Sequence, residues 1–253
     1  MATADRVLSI LGLFTVERPE WTVDAVALEL GLSGSTAYQY VRSLVDAGLL
    51  VSQKGGRYMV GPAIIELDRV TRRFDLLGNA ARDTLEALTA SVDAEAIGLL
   101  CRIYRLKVMC VDQCVLRPPS FAISYERGRP MPLTRGAASK CILAHLKSRA
   151  LRKFYDSEPQ AVRDAGLGED WEAFKLAIRD LRKQPVLATR GELDPGLMGI
   201  SAPVFDAENV VIGSIGLVVS AADFADQSKI AVVSTSVAAA ALAVSKRLKD
   251  SSE

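Results

Sequence analysis

Hydrogen-bonding side chains are concentrated between residues 33 and 42, where no acidic residue occurs. Hydroxyl, amide and guanidinium groups follow one another at Ser33, Ser35, Thr36, Tyr38, Gln39 and Arg42. Lys54 and Arg57 add positive charge a short distance further along the chain. Groups of these types form hydrogen bonds with phosphates and with the edges of DNA bases, and a glutamine amide can bind adenine through two hydrogen bonds. These residues are therefore candidates for contacts with double-stranded DNA.

The apolar residues around this set predict the helices that would position it. One helix face is formed by Val23, Val26, Ala27 and Leu30. Gly31 ends this helix, and Ser33 and Ser35 carry oxygens suited to capping a second helix, which Gly48 ends. The inward face of the second helix is predicted to comprise Ala37, Val41, Leu44 and Val45. The polar side chains are then left on its outer face.

A hairpin and a further helix complete the predicted module. Two strands, 49–52 and 57–60, flank a turn at 54–56. A first helix is predicted over about 4 to 16, with an inward face formed by Val7, Leu8, Leu11 and Phe14. Helix, tight turn, helix and basic hairpin are the architecture of a winged helix-turn-helix. The alternative is a small helical core that has a polar face and no DNA contact.

The overall charge limits how such a module could bind DNA. The chain has 253 residues and a formal net charge of +1, which gives no global attraction to nucleic acid. Between residues 31 and 60, Arg42, Lys54 and Arg57 stand against Asp46 alone. This modest local excess favours a sequence-specific protein that gains affinity as a dimer over a protein that coats DNA.

Nothing in the sequence predicts export or a membrane partner. No signal peptide is recognised at the start of the sequence, and no apolar run is judged long enough to span a bilayer. The longest candidate, 210–219, contains Gly213 and Gly216 and is predicted to be a buried strand. We therefore expect a cytoplasmic protein.

Catalytic and metal-binding chemistry finds little support in the composition. The cysteines lack paired spacing: Cys101, Cys110, Cys114 and Cys141. The single His145 leaves no zinc set, so buried thiols are expected, with a redox pair of Cys110 and Cys114 as the alternative. Glu192 and Asp194 could form a carboxylate pair, but their surroundings are typical of a turn. No catalytic residue, cofactor or metal is predicted, and a small-molecule-binding enzyme is the remote alternative.

Beyond the wing, the pattern predicts a linker helix and a second domain. The linker helix, 62–78, carries one apolar stripe: Ile64, Leu67, Val70, Thr71, Phe74 and Leu77. We expect this stripe to pair with that of a second copy, or otherwise to pack on its own domain. Strands are predicted near 95–104, 107–115, 120–126, 186–189, 199–205 and 210–219.

Helices are predicted between and after these strands without strict alternation. This arrangement indicates an α+β domain with a largely antiparallel sheet. The predicted domains are therefore a winged helix-turn-helix at 1–61, the linker helix at 62–78 and a second domain at 79–253.

Two motifs of the second domain suggest a family. The first is GRPMPLTRGAASK at 128–140, and the second is ELDPGLMGISAPVFD at 192–206. Together with the winged helix and the linker helix, over nearly the whole chain, they resemble the IclR family of bacterial transcriptional regulators. The resemblance implies a GAF-like effector-binding domain, operator binding as a dimer or a dimer of dimers, and control by a small organic ligand.

The sequence departs from the family pattern in both domains. Ser139 stands where a glycine usually precedes the lysine of the first motif. Gly34 and Gln39 replace the basic residues often found on the recognition helix. The expected DNA contacts therefore shift towards Tyr38, Arg42 and the wing.

The effector site is predicted where a helix begins after residue 136. Small residues leave backbone N–H groups able to stabilise a carboxylate, and the strands offer an apolar lining. The candidate effector residues are Met109, Phe121, Tyr125, Arg135, Ala137, Ala138, Thr189, Ile200, Gly216 and Val218. The segment 216–218 offers no hydroxyl of the kind expected in relatives that bind short polar acids. We therefore expect an aromatic carboxylate, of benzoate type, with glyoxylate or pyruvate as the alternative.

Overall fold

A computed structural model describes residues 3–251. The first domain was predicted to begin at residue 1 and the last to end at residue 253, and both of these positions lie outside the described residues. The chain divides between Asp75 and Leu76 into two compact units. The first contains α1 (Thr3–Leu11), β1 (Trp21–Thr22), α2 (Val23–Leu30), α3 (Gly34–Asp46), β2 (Leu50–Gln53), β3 (Arg57–Val60) and α4 (Ala63–Phe74). Its strands form an antiparallel sheet in the order β1-β3-β2. The predicted winged helix-turn-helix is confirmed.

Local caps define the two central helices of this unit. The Thr22 hydroxyl accepts a hydrogen bond from the Ala25 N–H at 3.2 Å at the start of α2, and Gly31 ends α2 with a φ of +62°. The Ser33 hydroxyl accepts a hydrogen bond from the Thr36 N–H at 3.3 Å at the start of α3. The core between the helices includes predicted residues: Val26, Ala27, Ala37, Val41 and Leu44.

The first helix is shorter than predicted and buries a different face. It ends at Leu11, and Leu8 is 59% exposed, whereas Ile10 is fully buried. Successive helical residues are about 100° apart, so a helix that buries Ile10 turns Leu8 about 160° away from the core. The assignment of Leu8 to the inward face was therefore wrong.

The helix predicted over 62–78 is two helices. α4 ends at Phe74, and α5 begins at Leu76. No residue of α4 is buried, whereas Leu77 is 1% exposed and belongs to a core of the second unit. The helix is interrupted at Asp75 because α4 belongs to the first unit and α5 belongs to the second.

The second unit is an α+β domain, as predicted. Its helices are α5 (Leu76–Ala90), α6 (Ala137–Ala144), α7 (Ser148–Ser157), α8 (Pro159–Asp164), α9 (Trp171–Arg182) and α10 (Gln227–Asp250). Its strands are β4 (Ala96–Tyr104), β5 (Lys107–Cys114), β6 (Pro130–Met131), β7 (Leu187–Arg190), β8 (Leu197–Phe205) and β9 (Val211–Ser220). They form one antiparallel sheet in the order β6-β5-β4-β9-β8-β7. Helices α5 and α10 pack on this sheet, as does α6.

Two hydrophobic cores lie on the two faces of the sheet, because strand side chains alternate. The core shared with α6 includes Leu99, Cys101, Ala137, Ile142 and Val218. The core shared with α5 and α10 includes Leu85, Leu100, Ile200, Leu217 and Val237. The candidate effector site belongs to the first of these faces.

The strand predicted at 120–126 is absent; in this region β5 pairs with Pro130–Met131 and forms one isolated bridge, from Cys110 to Arg127. Pro118 and Pro119 cannot donate to a strand ladder. The segment is held by side chains instead: Gln113 Nε2 donates to the Tyr125 carbonyl at 2.6 Å. The Ser124 N–H donates to the Asp194 carboxylate at 2.9 Å.

Cys110 and Cys114 do not form the redox pair considered from the sequence. A bulge at Leu100–Cys101 shifts the register of β4 and β5, which pairs Cys101 with Cys110 and Gly98 with Cys114. Cys110 therefore belongs to the first core, whereas Cys114 packs against the second. None of the four cysteines, all within the described residues, forms a disulfide, and burial raises the pKa of Cys141 to about 12, which keeps it a thiol.

One helix of the described part is long and apolar enough to span a membrane by length and composition alone, contrary to the expectation from the sequence. This helix is α10, and 39% of its most apolar window is buried. Val237 and Val244 are fully buried in the second core. A core helix of a folded domain passes the same test, so this is weak evidence for a membrane span.

We expect the free energy of unfolding to decrease as the pH falls below about 6.5. Burial and the nearby Arg182 guanidinium lower the pKa of His145, so in this range the unfolded chain takes up a proton that the folded chain does not. His145 is the only histidine of the sequence. Urea unfolding of the wild type and of His145→Gln at about pH 7.5 and about pH 5.5 measures the effect. An equal loss of stability in both proteins would contradict it.

Candidate DNA-binding and effector-binding sites

The outer face of α3 presents most of the predicted base-reading residues to solvent. Ser35, Tyr38, Gln39 and Arg42 are exposed, and the Tyr38 side chain remains 51% accessible. The guanidinium of Arg42 lies 4.0 Å from the Asp46 carboxylate, and both side chains are well solvated. Such a pair contributes little to stability and leaves the arginine available to a phosphate.

Two of the predicted contact residues also shape the start of α3. The Ser33 hydroxyl caps the helix and lies 2.8 Å from the Thr36 hydroxyl. Thr36 is half-buried, unlike its neighbour Ser35. Ser33 and Thr36 therefore fix the position of the helix N-terminus, which is the part of a recognition helix that commonly approaches the bases.

The wing carries one exposed lysine and one paired arginine. Lys54 precedes Gly55 and Gly56, which take φ values of +80° and +71° and make the tight turn between β2 and β3. Arg57 Nη1 donates a hydrogen bond to Glu20 Oε2 at a distance of 2.9 Å. This partner was not predicted, because Glu20 is 37 positions away from Arg57 and the contact has no local pattern. Any phosphate contact of Arg57 has to compete with this carboxylate.

A small cavity lies in the second unit between α6, the sheet and the loop that joins β7 to β8. Its volume is about 30 Å³. Its lining is mostly apolar or glycine, and the residues are Leu99, Tyr125, Gly136, Ala137, Ala138, Thr189, Gly191, Glu192, Leu193, Asp194, Leu197, Gly199, Ser201 and Val218. A site of this kind, apolar with a few polar groups, is typical of small-molecule binding.

The N-terminus of α6 supplies hydrogen-bond donors to this cavity. The Gly136 N–H donates to Glu192 Oε2 at 2.9 Å, and Lys140 Nζ donates to Glu192 Oε1 at 2.6 Å. Within the described residues, the N–H groups of Ala137 and Ala138 have no hydrogen-bond acceptor in the chain. These two groups, at the positive end of the helix dipole, can stabilise the carboxylate of a ligand.

Two hydroxyl groups complete the polar part of the cavity. Thr189 and Ser201 line it from β7 and β8, and neither side chain forms a hydrogen bond within residues 3–251. Ser201 was not predicted from the sequence. Gly216 makes room for it on the neighbouring strand, since a Cβ at Gly216 would lie 2.2 Å from the Ser201 hydroxyl. The hydroxyls can bind a polar substituent of a ligand.

The predicted effector residues are only partly brought together. The cavity includes Tyr125, Ala137, Ala138, Thr189 and Val218. Phe121 packs against the first core without lining the cavity. Neither Arg135 nor Gly216 lines the cavity. Arg135 Nη2 donates to the Glu192 carbonyl, and Gly216 contacts Ser201 on the neighbouring strand.

Met109 and Ile200 lie away from the cavity. Ile200 is in the core under α5 and α10. Met109 is opposite Arg102 in the β4–β5 ladder, and its strand neighbours Val108 and Cys110 belong to the α6 face. Because side chains alternate along a strand, Met109 faces the other side. We do not include these two residues in the proposed site.

Tyr125 supports the start of α6 as well as lining the cavity. Its hydroxyl lies 2.7 Å from that of Ser139. Burial and the neighbouring Cys101 raise the pKa of Tyr125 far above its usual value, so its hydroxyl is protonated at neutral pH. Ser139, the departure from the family motif noted in the sequence, therefore serves as the partner of this tyrosine.

Within residues 3–251, no group of three or more histidine, cysteine, aspartate or glutamate side chains is placed to hold a metal ion. A winged helix-turn-helix followed by a domain with a small-molecule cavity defines a DNA-binding transcriptional regulator. Comparison with family models assigns residues 3–54 to the IclR helix-turn-helix domain and residues 69–246 to the bacterial transcriptional regulator IclR C-terminal domain. The chain belongs to the IclR family of bacterial transcriptional regulators.

Individual relatives are distant in sequence and similar in fold. The HTH-type transcriptional regulator KipR of Bacillus subtilis is 25% identical, over 97% of this chain and 96% of its own. An IclR transcriptional regulator from a Silicibacter species has a TM-score of 0.80 at 17% identity, covering 98% and 96% of the two chains. An IclR homologue from Microbacterium hydrocarbonoxydans, complexed with 4-hydroxybenzoate, has a TM-score of 0.73 at 18% identity, covering 98% and 100%.

Proposed function

We propose that this regulator reads its operator with the outer face of α3 and supports that contact with the wing. The exposed side chains of Tyr38, Gln39 and Arg42 support base or phosphate contacts, and Lys54 supports a contact from the turn of the wing. Ser33, Ser35 and Thr36 would act at the helix N-terminus, close to the phosphate backbone. Arg57, which is paired with Glu20, would contribute to DNA affinity through its positive charge.

Replacing Gln39 with Ala should relax base preference at one operator position, because a bidentate amide–adenine contact is worth about 1–3 kcal/mol of discrimination. Arg57→Ala should instead weaken all sequences about equally and flatten the dependence on salt, because a charge contact carries no sequence information. Gel shifts with a selected operator and its base-substituted variants, over a salt series, measure both effects. Uniform weakening by Gln39→Ala, with unchanged base preference, would contradict its role.

We propose that the protein binds DNA as a dimer or a dimer of dimers through α4. Its apolar stripe is exposed at Ile64, Leu67, Val70 and Phe74, with 38%, 56%, 52% and 69% accessibility. A contiguous exposed apolar surface of this kind is typical of an interaction site. A second copy of the same helix is the simplest partner, because the same stripe on both copies makes a symmetric contact.

Val70→Glu should convert the dimer into a monomer, because it places a charge within the stripe. Ile65→Glu is the matched control, since Ile65 is also exposed but lies on the other side of α4. Sedimentation of the wild type and both variants gives the oligomeric state. A dimer that survives Val70→Glu would rule out this interface.

We propose that the cavity binds a small organic acid whose carboxylate accepts hydrogen bonds from the N–H groups of Ala137 and Ala138. The observation that carries this proposal is that Ala137 and Ala138 line a mostly apolar cavity and that their N–H groups have no acceptor within residues 3–251. The side chains of Leu99, Leu197 and Val218 favour an aromatic acid over a short polar one. The 4-hydroxybenzoate complex of a family member supports the same class of ligand.

The alternative effector is a short acid such as glyoxylate or pyruvate. The size of the cavity favours it, because 30 Å³ cannot enclose a ring. The hydroxyls of Thr189 and Ser201 would then bind the second polar group of the short acid.

Ala137→Leu should abolish binding of either class of acid, because the larger side chain enters the cavity beside the N–H donors. Ala87→Leu, on an exposed position of α5, is the control. Calorimetry with benzoate, 4-hydroxybenzoate, pyruvate and glyoxylate compares the three proteins, and gel shifts report operator binding. We expect operator binding without effector to be retained. Unchanged acid binding by Ala137→Leu would place the ligand elsewhere.

We propose that the acid switches transcription by binding with different affinity to the DNA-competent and DNA-incompetent states. Binding that does not distinguish the two states changes nothing, however tight it is. On this proposal the protein is a cytoplasmic ligand sensor and not an enzyme.

A further inference from the structure

The loop 191–196, which joins β7 to β8, forms one wall of the cavity. Gly191, Glu192, Leu193 and Asp194 all line it. The loop has a glycine with positive φ at each end, at +61° for Gly191 and +78° for Gly196. The Gly191 N–H donates to the Leu197 carbonyl at 2.8 Å, which closes the base of the loop. The segment is therefore a short loop between two glycines, which we call the lid.

Two carboxylates hold the lid against the rest of the domain. Glu192 accepts hydrogen bonds from the Gly136 N–H at 2.9 Å and from Lys140 Nζ at 2.6 Å. Asp194 accepts hydrogen bonds from the N–H and the hydroxyl of Ser124, at 2.9 Å and 2.5 Å. The side chains of Lys140 and Glu192 are only 13% and 30% exposed, so solvent screens their attraction less than that of a surface pair.

Leu193 lies between these two carboxylates and fills the space beside α6. It packs against the first core, and a Cβ at Gly136 would lie 2.7 Å from Leu193 Cδ1. The remaining cavity of 30 Å³ is about a fifth of the 150 Å³ that accommodates benzene in an engineered protein cavity. The closed lid therefore leaves no room for a ring.

We propose that Leu193 sets the size selectivity of the effector site by acting as the plug of a lid that Glu192 and Asp194 hold closed. The proposal rests on the effector site proposed above. An aromatic acid binds only molecules in which the lid has opened, so its affinity is reduced by the fraction of open molecules. A two-carbon or three-carbon acid needs the smallest opening and is affected least.

Leu193→Ala removes the plug, and Leu181→Ala is the matched control. Leu181 on α9 is also half-buried against the first core, but it does not line the cavity. Calorimetry of the wild type and both variants would give the dissociation constants of benzoate and pyruvate. Leu193→Ala should shift the ratio of the two constants in favour of benzoate by at least about tenfold, and Leu181→Ala should leave it unchanged.

Hydrogen exchange of the Gly136 amide tests the lid without any ligand. Glu192 protects this amide in the closed state. Glu192→Gln keeps the shape of the side chain and removes its charge, so it should speed exchange by at least about tenfold. Amides in β8 and β9 should exchange as in the wild type, which separates opening of the lid from a general loss of stability.

The results distinguish failure of the lid from failure of the effector proposal. Benzoate binding with an unchanged ratio in Leu193→Ala would overturn the plug and leave the effector class intact. If neither acid binds any of the three proteins, the proposed effector class is wrong, and the selectivity role of Leu193 is wrong with it. Unchanged Gly136 exchange in Glu192→Gln would overturn the closed lid whichever acid binds.

Discussion

Side chains of β8 and β9 alternate between the two faces of the six-stranded sheet, and the effector domain depends on that alternation. Ile200 and Leu217 are fully buried beneath α5 and α10. Gly199, Ser201 and Val218 face the cavity beside α6. A shift of one residue in register would exchange these two sets of side chains. The long ladder between β8 and β9, which β4 extends on its other side, holds the register in place.

Small residues let α6 approach the sheet closely enough to bring backbone donors to the cavity. A Cβ at Gly199 would lie 3.5 Å from the Ala137 Cβ and 3.8 Å from the Ala137 nitrogen. In the proposed site, the groups available to bind a ligand on this face are therefore backbone N–H groups and hydroxyls. The charged side chains that line the cavity, Glu192 and Asp194, are already engaged in holding the loop. This division gives an apolar site with directional polar groups, in which a ligand can be oriented without a dedicated basic side chain.

The two units serve different kinds of recognition, and their architecture differs accordingly. The winged unit keeps a polar helix face exposed on a small core of its own. The effector domain encloses its candidate site between a helix and a sheet. Signalling between the two sites in a family of transcriptional regulators requires a coupling free energy between them. An effector supplies that energy only if it binds one conformational state more tightly than the other.

The sequence by itself determined the elements that depend on local interactions. The cap at Ser33 and the apolar periodicity of α2 and α3 act within a few residues, so they were recognisable without the fold. Local patterns also indicated the antiparallel α+β domain and, with the two motifs, the family. The boundaries of α1 and of the helix after residue 62 were misplaced, the strand at 120–126 is absent, and the two-residue strands β1 and β6 were not predicted.

The tertiary structure decided which face of each strand meets which helix. Alternation predicts two faces but does not say which one α6 covers, so Met109 and Ile200 were assigned to the wrong side. The β4–β5 bulge that separates Cys110 from Cys114 depends on the pairing of two strands. Glu192 contacts Gly136 and Lys140 across 56 and 52 positions of sequence, and such contacts have no local signature. They form because folding brings the loop after β7 to the N-terminus of α6, where the Glu192 carboxylate accepts from the Gly136 N–H.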